Sequence, residues 1–165
     1  MNEYEFQAFY DRTSRSLWAY MVRVSGSRDV ASDLVQEAFT RFLAADTPAM
    51  DDAQSKSYLF RIATNLFHER WRRERWNVQL DEVESGEVSP ENLETVVGVR
   101  QAFERLNSRE RELLWLAYVE GSRHHEIANI TGLKLASIGA LLFRARQKLA
   151  RALRGALQSV EEKQR

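Results

Sequence analysis

Residues 125–149 read HEIANITGLKLASIGALLFRARQKL, and this stretch decides the fold class. Ala128, Gly132 and Ile138 stand in the spacing A-x3-G-x5-I. A small residue at 128 lets two helices cross closely. Gly132 supplies the positive φ of a sharp turn after a helix end. Ile138 and Leu142 anchor the second helix on a core through one face. The spacing predicts a helix-turn-helix, with a short helix near Arg123 to Ile130 and a long one from about Leu135 to Leu157. A generic helical hairpin would satisfy the spacing alone. The second helix, however, carries Arg144, Arg146, Lys148, Arg151 and Arg154, with no acidic residue from Lys134 to Gln158, which favours DNA as its ligand.

Helical geometry separates the faces of that helix. Ile138, Leu142, Ala145, Leu149 and Ala152 share one side; Ser137, Leu141, Arg144, Lys148 and Arg151 share another. The cations suit phosphates, which give affinity without sequence information. Base reading falls to the helix start, Lys134, Ala136, Ser137, Gly139, Ala140 and Leu141, which is poor in hydrogen-bonding side chains. Weak direct readout is the expectation. Lys134, Ser137, Arg144, Lys148 and Arg151 are the candidate DNA contacts here.

The rest of the chain is read outward from this motif. It has 165 residues, 24 Lys plus Arg against 24 Asp plus Glu, and no cysteine, which excludes a disulfide framework and thiolate chemistry. No apolar run approaches the roughly 20 residues that span a bilayer, so no membrane insertion is expected. Met1 to Asp11 lacks a basic cluster and an apolar stretch, so a secretory signal is not expected and a cytoplasmic protein is.

Periodicity upstream is helical. Phe6, Phe9, Tyr10, Leu17, Met21 and Val24 recur at helical intervals. So do Ala31, Leu34, Val35, Ala38, Phe39 and Phe42, and then Leu59, Ile62, Ala63 and Leu66. Gly26 and the Asp46–Asp52 stretch with Pro48 divide them into three helices. Downstream, Leu93 to Leu106 and Ser108 to Glu120 read as two more, Asn107 and Glu110 forming a capping box. The expectation is an all-α protein of two small helical domains, 1–76 and 93–165, joined by a linker over 77–92 that contains Gly86 and Pro90.

Neutrality on average hides segregated charge. Residues 77–104 hold one basic and seven acidic side chains, a net of −6, while 105–165 carry a net of +6. Lys56 to Trp76 carries a net of +4. Two basic surfaces flanking an acidic connector indicate a polyanion partner, because phosphate binding depends on local field. Within the first of them, Tyr58, Arg61, Asn65, His68, Arg72 and Arg75 follow spacings of 3, 4, 3, 4 and 3 and share one stripe. An aromatic, an amide and a row of cations on a rigid helix suit unpaired bases and their backbone. A solvated charged face with a tyrosine at its rim accounts for the same stripe, and the spacing does not choose between them.

Three segments carry a family resemblance. Asp29-Val30-Ala31-Ser32-Asp33-Leu34-Val35-Gln36-Glu37-Ala38-Phe39 resembles the core-polymerase-binding helix of bacterial RNA polymerase sigma factors. Ser57-Tyr58-Leu59-Phe60-Arg61-Ile62-Ala63-Thr64-Asn65, followed by Arg70 to Arg75, is similar to their promoter-melting helix. Leu106 to Glu112, Tyr118 to Gly121, His125 to Ala128 and Phe143 to Leu149 resemble their C-terminal domain. Order and separation match the compact extracytoplasmic-function class.

The resemblance implies roles by position. Asp29, Asp33, Gln36 and Glu37 would face the clamp helices of the polymerase β′ subunit. Met50, Asp51 and Asp52 fall in the loop that captures a flipped base of the −10 element. Tyr58, Arg61 and Asn65 would lie along the melted strand, with Arg70, Arg72, Arg73 and Arg75 on adjoining duplex. The helix-turn-helix would read the −35 element and dock on the β flap, and the connector would run through the polymerase cleft. Core RNA polymerase, promoter DNA and an anti-sigma factor are the implied partners. Two departures stand out: Ser32 replaces a usual glutamate, and Gly139, Ala140 and Leu141 replace the more polar residues usual in the recognition helix.

Other chemistry finds little support. His125-Glu126 begins like a zinc-protease pattern, but Asn129 stands where the second histidine is required, so no metal site is expected. Asp51-Asp52 has no partner acid or base at fixed spacing. No phosphate-cradling glycine loop or nucleophile elbow occurs, so neither an enzyme nor a cofactor is expected. A stand-alone helix-turn-helix regulator and a sigma-like decoy that binds only an anti-sigma protein are the rival readings.

Overall fold

The computed structural model describes residues 1–78 and 94–163, without the side chains of 75–78, 94–97, 160 and 163. Most of the expected linker, and the side chains of Arg75 and Trp76, lie outside the described residues. The elements are α1 (Glu3–Ser25), α2 (Arg28–Ala44), α3 (Asp52–Val78), α4 (Glu94–Glu104), α5 (Ser108–Tyr118), α6 (His124–Thr131) and α7 (Leu135–Lys163). No strand is present among the described residues. The chain separates into two compact units.

In the first unit α1, α2 and α3 pack pairwise. Each start has a chemical cause. Asn2 caps α1, its side chain accepting from the Glu5 N–H while Glu5 accepts from the Asn2 N–H at 2.9 Å. Ser27 caps α2 by accepting from the Val30 N–H. Gly26, at φ +72°, ends α1 in the left-handed conformation, so only one residue separates it from the Ser27 cap. Leu17, Tyr20, Met21, Ala31, Ala38, Leu59 and Ala63 are fully buried. Each such large side chain contributes about 1.5–3 kcal/mol by leaving water.

α3 is buried over a wider arc than its four periodic residues predict. Phe60, Thr64 and Phe67 are buried as well, because α3 packs on both α1 and α2. Tyr20 stacks on Phe60 with centroids 5.3 Å apart, and its hydroxyl shares a 2.9 Å hydrogen bond with Thr64. That pairing answers the cost of burying two hydroxyls. Tyr10 differs from expectation in the other direction. It is 40% exposed, its ring set against Phe39 at the rim of the α1–α2 pair.

In the second unit α7 packs on α4 and on α5. Gly98 of α4 brings its backbone against Ala156, where an added Cβ would lie 3.8 Å from the alanine methyl. The predicted capping box at α5 forms, Asn107 accepting from the Glu110 N–H and Glu110 from the Asn107 N–H, both at 2.9 Å. Gly132 has φ +75° and donates its N–H to the Ala128 carbonyl, closing α6. The axes of α6 and α7 then meet at 96°, the geometry of a helix-turn-helix. Ile138, Leu142 and Ala145 are buried, as the periodicity predicts. Among the described residues no single helix is long and apolar enough to cross a membrane.

Candidate nucleic-acid interface

The polar side of α2 is a continuous exposed acidic face. Asp29, Asp33, Gln36 and Glu37 are all exposed, opposite buried Ala31, Leu34, Val35 and Ala38. Two of the carboxylates are engaged within the unit. Glu37 accepts from Arg41 Nε at 2.8 Å, and Asp33 lies 3.6 Å from Arg70 on α3. Asp29 and Gln36 have no ion pair or side-chain hydrogen bond among the described residues. Gln36 borders a groove of about 690 Å³ between α1 and α2, walled by Phe6, Tyr10, Trp18, Phe39 and Leu43. The groove was hidden in the sequence, where Phe6 and Tyr10 carry an ordinary core periodicity.

The loop before α3 is structured by its own side chains. Asp51 is the cap of α3, accepting from the Gln54 N–H at 2.8 Å, while Gln54 Oε1 accepts from the Asp51 N–H. Asp52 pairs with Arg12 of α1 at 2.9 Å. Both carboxylates therefore hold the loop in place, and Met50, half-buried, precedes the cap directly.

α3 presents its cations in two directions. Arg61, Asn65 and Arg72 are exposed along one line, with half-buried His68 between them and Arg72 bonded to the His68 carbonyl. Tyr58 sits at the edge of this line with its ring 6.0 Å from that of Phe42, so it both borders the face and packs on α2. Arg70 points away from the line towards α2, held by Asp33 and by Glu74 at 3.0 Å. Arg73 is exposed near the helix end. The structure thus brings Arg61, Asn65 and Arg72 together and sets Arg70 apart.

The helix-turn-helix sorts its charges likewise. Arg144 and Arg151 are exposed, and neither is paired with a carboxylate among the described residues. Lys148 reaches both carboxylate oxygens of Glu110, at 3.0 and 3.1 Å, and so bridges α7 to the start of α5. Arg146 donates to the Tyr118 hydroxyl at 2.7 Å, a second α7–α5 link. Lys134 is exposed and Ser137 half-buried at the helix start. Burial lowers the Arg111 guanidinium from its ordinary value, opposed by the charges of Glu104 and Glu110. His124 and His125 are exposed, and no cluster of metal-ligating side chains occurs among the described residues.

Residues 9–77 match the Sigma-70 region 2 family and residues 97–149 match Sigma-70, region 4. The chain is 32% identical over 148 residues to the ECF RNA polymerase sigma factor EcfG of Rhodopseudomonas palustris (strain TIE-1), covering 84% of this chain and 79% of that one. It is 25% identical to the ECF RNA polymerase sigma factor SigM of Bacillus subtilis (strain 168), over 85% and 90% of the two chains. Its fold is similar to that of the sigma factor RpoE of Bartonella quintana, solved in complex with the anti-sigma factor NepR. The TM-score is 0.74 at 24% identity, covering 91% of this chain and 97% of the other.

Proposed function

The chain belongs to the ECF RNA polymerase sigma factors, and from that premise we propose how its faces divide the work of initiation. Residues 1–76 bind core polymerase and open the −10 element, residues 93–165 engage the −35 element, and 77–92 tether the two. The acidic face of α2 meets the clamp helices of β′. Asp29 and Gln36, whose exposed side chains make no ion pair among the described residues, meet them first.

The carrying observation is the line Arg61–Asn65–Arg72 on α3, exposed and backed by the buried Leu59, Phe60, Ala63, Leu66 and Phe67 of the same helix. Donors fixed on a packed helix lose little entropy on binding a melted strand, so strand capture competes with re-annealing. Met50, with Asp51 and Asp52 in the loop before α3, receives a flipped base, and Tyr58 lies along the melted strand beside Arg61 and Asn65. Arg70 and Arg73, with Arg75, serve the neighbouring duplex.

On α7, Arg144 and Arg151 take phosphates; Lys148 acts by fixing α7 on α5. Lys134 and Ser137, at the start of the helix, face the base edges of the −35 element. The chain works beside polymerase in the cytoplasm, performs no catalysis itself, and has an anti-sigma factor as a partner, as the Bartonella sigma factor RpoE has NepR in its complex. Transcription in vitro with purified core polymerase and a promoter library tests the reading. Promoter-specific transcripts that require both components are expected. A decoy would give none, and a stand-alone regulator would bind duplex DNA tightly without polymerase.

A further inference from the structure

The outward face of α7 is apolar over its first turns, where a DNA-reading helix would ordinarily carry hydrogen-bonding groups. Leu135 and Phe143 are 55% and 52% exposed, and Ala136 and Ala140 are exposed with them. The core takes Ile138, Leu142 and Ala145 from the opposite side and leaves about half of Phe143 in solvent. Ala136, Ala140 and Phe143 fall on one line within about 60° of each other around the helix. The first hydrogen-bonding side chain on that line is Gln147, one turn beyond Phe143.

What covers this face is indicated by the charges beside it. Arg144, Arg151 and Arg154 are exposed, and none is paired with a carboxylate among the described residues. Uncommitted cations next to exposed apolar side chains fit a polyanion whose edge bears apolar groups. In the major groove the thymine C5-methyl is the apolar feature, and alanine and phenylalanine suit it. The 96° turn between α6 and α7 also matches entry of the second helix into that groove.

We propose that this chain reads its −35 element through thymine methyl groups packed on Ala136, Ala140 and Phe143, in place of side-chain hydrogen bonds to base edges. The proposal rests on the assignment of α7 to the −35 element. Specificity then comes from methyl burial at T·A pairs, while the arginines give affinity common to all sequences.

The test uses holoenzyme reconstituted from the full chain and core polymerase. Promoters are selected from a library randomised in the −35 window, and each thymine of a selected site is replaced in turn by deoxyuridine, which removes only the methyl. Binding should fall about fourfold for each contacted methyl, the worth of one buried methyl-sized group. Phe143→Ser, at an exposed position, should bring the thymine-to-deoxyuridine ratio towards one while the salt dependence stays as in the parent. Equal binding of thymine and deoxyuridine promoters by the parent overturns the proposal but leaves the sigma assignment standing, and gives the face to a protein partner. If the holoenzyme selects no −35 sequence above core polymerase alone, the assignment of α7 fails and takes the proposal with it.

Discussion

Arg70 Nη1 on α3 lies 3.6 Å from Asp33 Oδ2 on α2, so a cation of the proposed DNA-binding helix and a carboxylate of the proposed polymerase-binding face partly neutralise each other in the free chain. The pair is exposed on the Asp33 side, at 70%, and such pairs contribute at most about 1 kcal/mol. It is weak enough for a basic partner to displace. A basic helix that takes Asp33 leaves Arg70 with Glu74, at 3.0 Å, as its one remaining carboxylate among the described residues, which would link polymerase binding to the charge of the proposed DNA face.

Core binding is the first consequence. Asp33→Lys combined with Glu37→Lys should abolish co-purification with core polymerase while circular dichroism shows unchanged helix content. Charge reversal also places lysines beside Arg70 and Arg41, so Asp33→Asn with Glu37→Gln is the gentler control and should weaken binding less. Undiminished binding by the double lysine variant would remove α2 as the polymerase face.

Promoter opening should separate Asn65 from Tyr58. Asn65 is exposed and Tyr58 packs on Phe42. Asn65→Ala should leave the melting temperature unchanged and reduce open-complex formation about tenfold, the scale of one lost base contact of roughly 1–3 kcal/mol. Tyr58→Ala should lower both. Permanganate reactivity of melted thymines, measured beside closed-complex retention, reads the two steps. Equal loss at both steps for Asn65→Ala would make it a duplex contact.

Salt dependence should tell Lys148 from its arginine neighbours. Arg144→Ala and Arg151→Ala should each reduce the salt slope of promoter binding by about one unit. Lys148→Ala should leave the slope unchanged and cost about 0.2–1 kcal/mol of stability through the lost bridge to Glu110. A unit change in slope for Lys148→Ala would place its ammonium on DNA.

The turn of the helix-turn-helix should be sensitive to Gly132. At φ +75° a Cβ is strained although no atom lies within 4 Å of it, so the cost is backbone strain and not a clash. Gly132→Ala should destabilise the helix-turn-helix by about 1–2 kcal/mol, read as a lower midpoint in urea. Gly132→Asn should recover part of the loss, since asparagine tolerates this conformation better. Identical losses for both variants would point to a cause other than φ.

By itself the sequence determined the elements and their faces. Apolar residues at helical intervals fix which side of each helix leaves water, so the α2 acidic face, the Arg61–Asn65–Arg72 line, the Asn107 capping box and the turn at Gly132 could all be read from spacing. These are local properties, set within one or two turns of chain. Which charged side chain points to solvent and which is spent on a neighbouring helix is not local. Arg70 and Lys148 belong to the same basic runs as Arg72 and Arg144, yet Asp33 and Glu110 draw them aside. Asp51 looks like a loop acid and is used as a helix cap. The apolar outward line of α7 carries the same alanines and phenylalanine that a buried face would carry, and only the packing of α7 on α5 shows which side is covered. Long side chains take the nearest opposite charge in space, and that neighbour is supplied by helix packing, which periodicity along one helix does not encode.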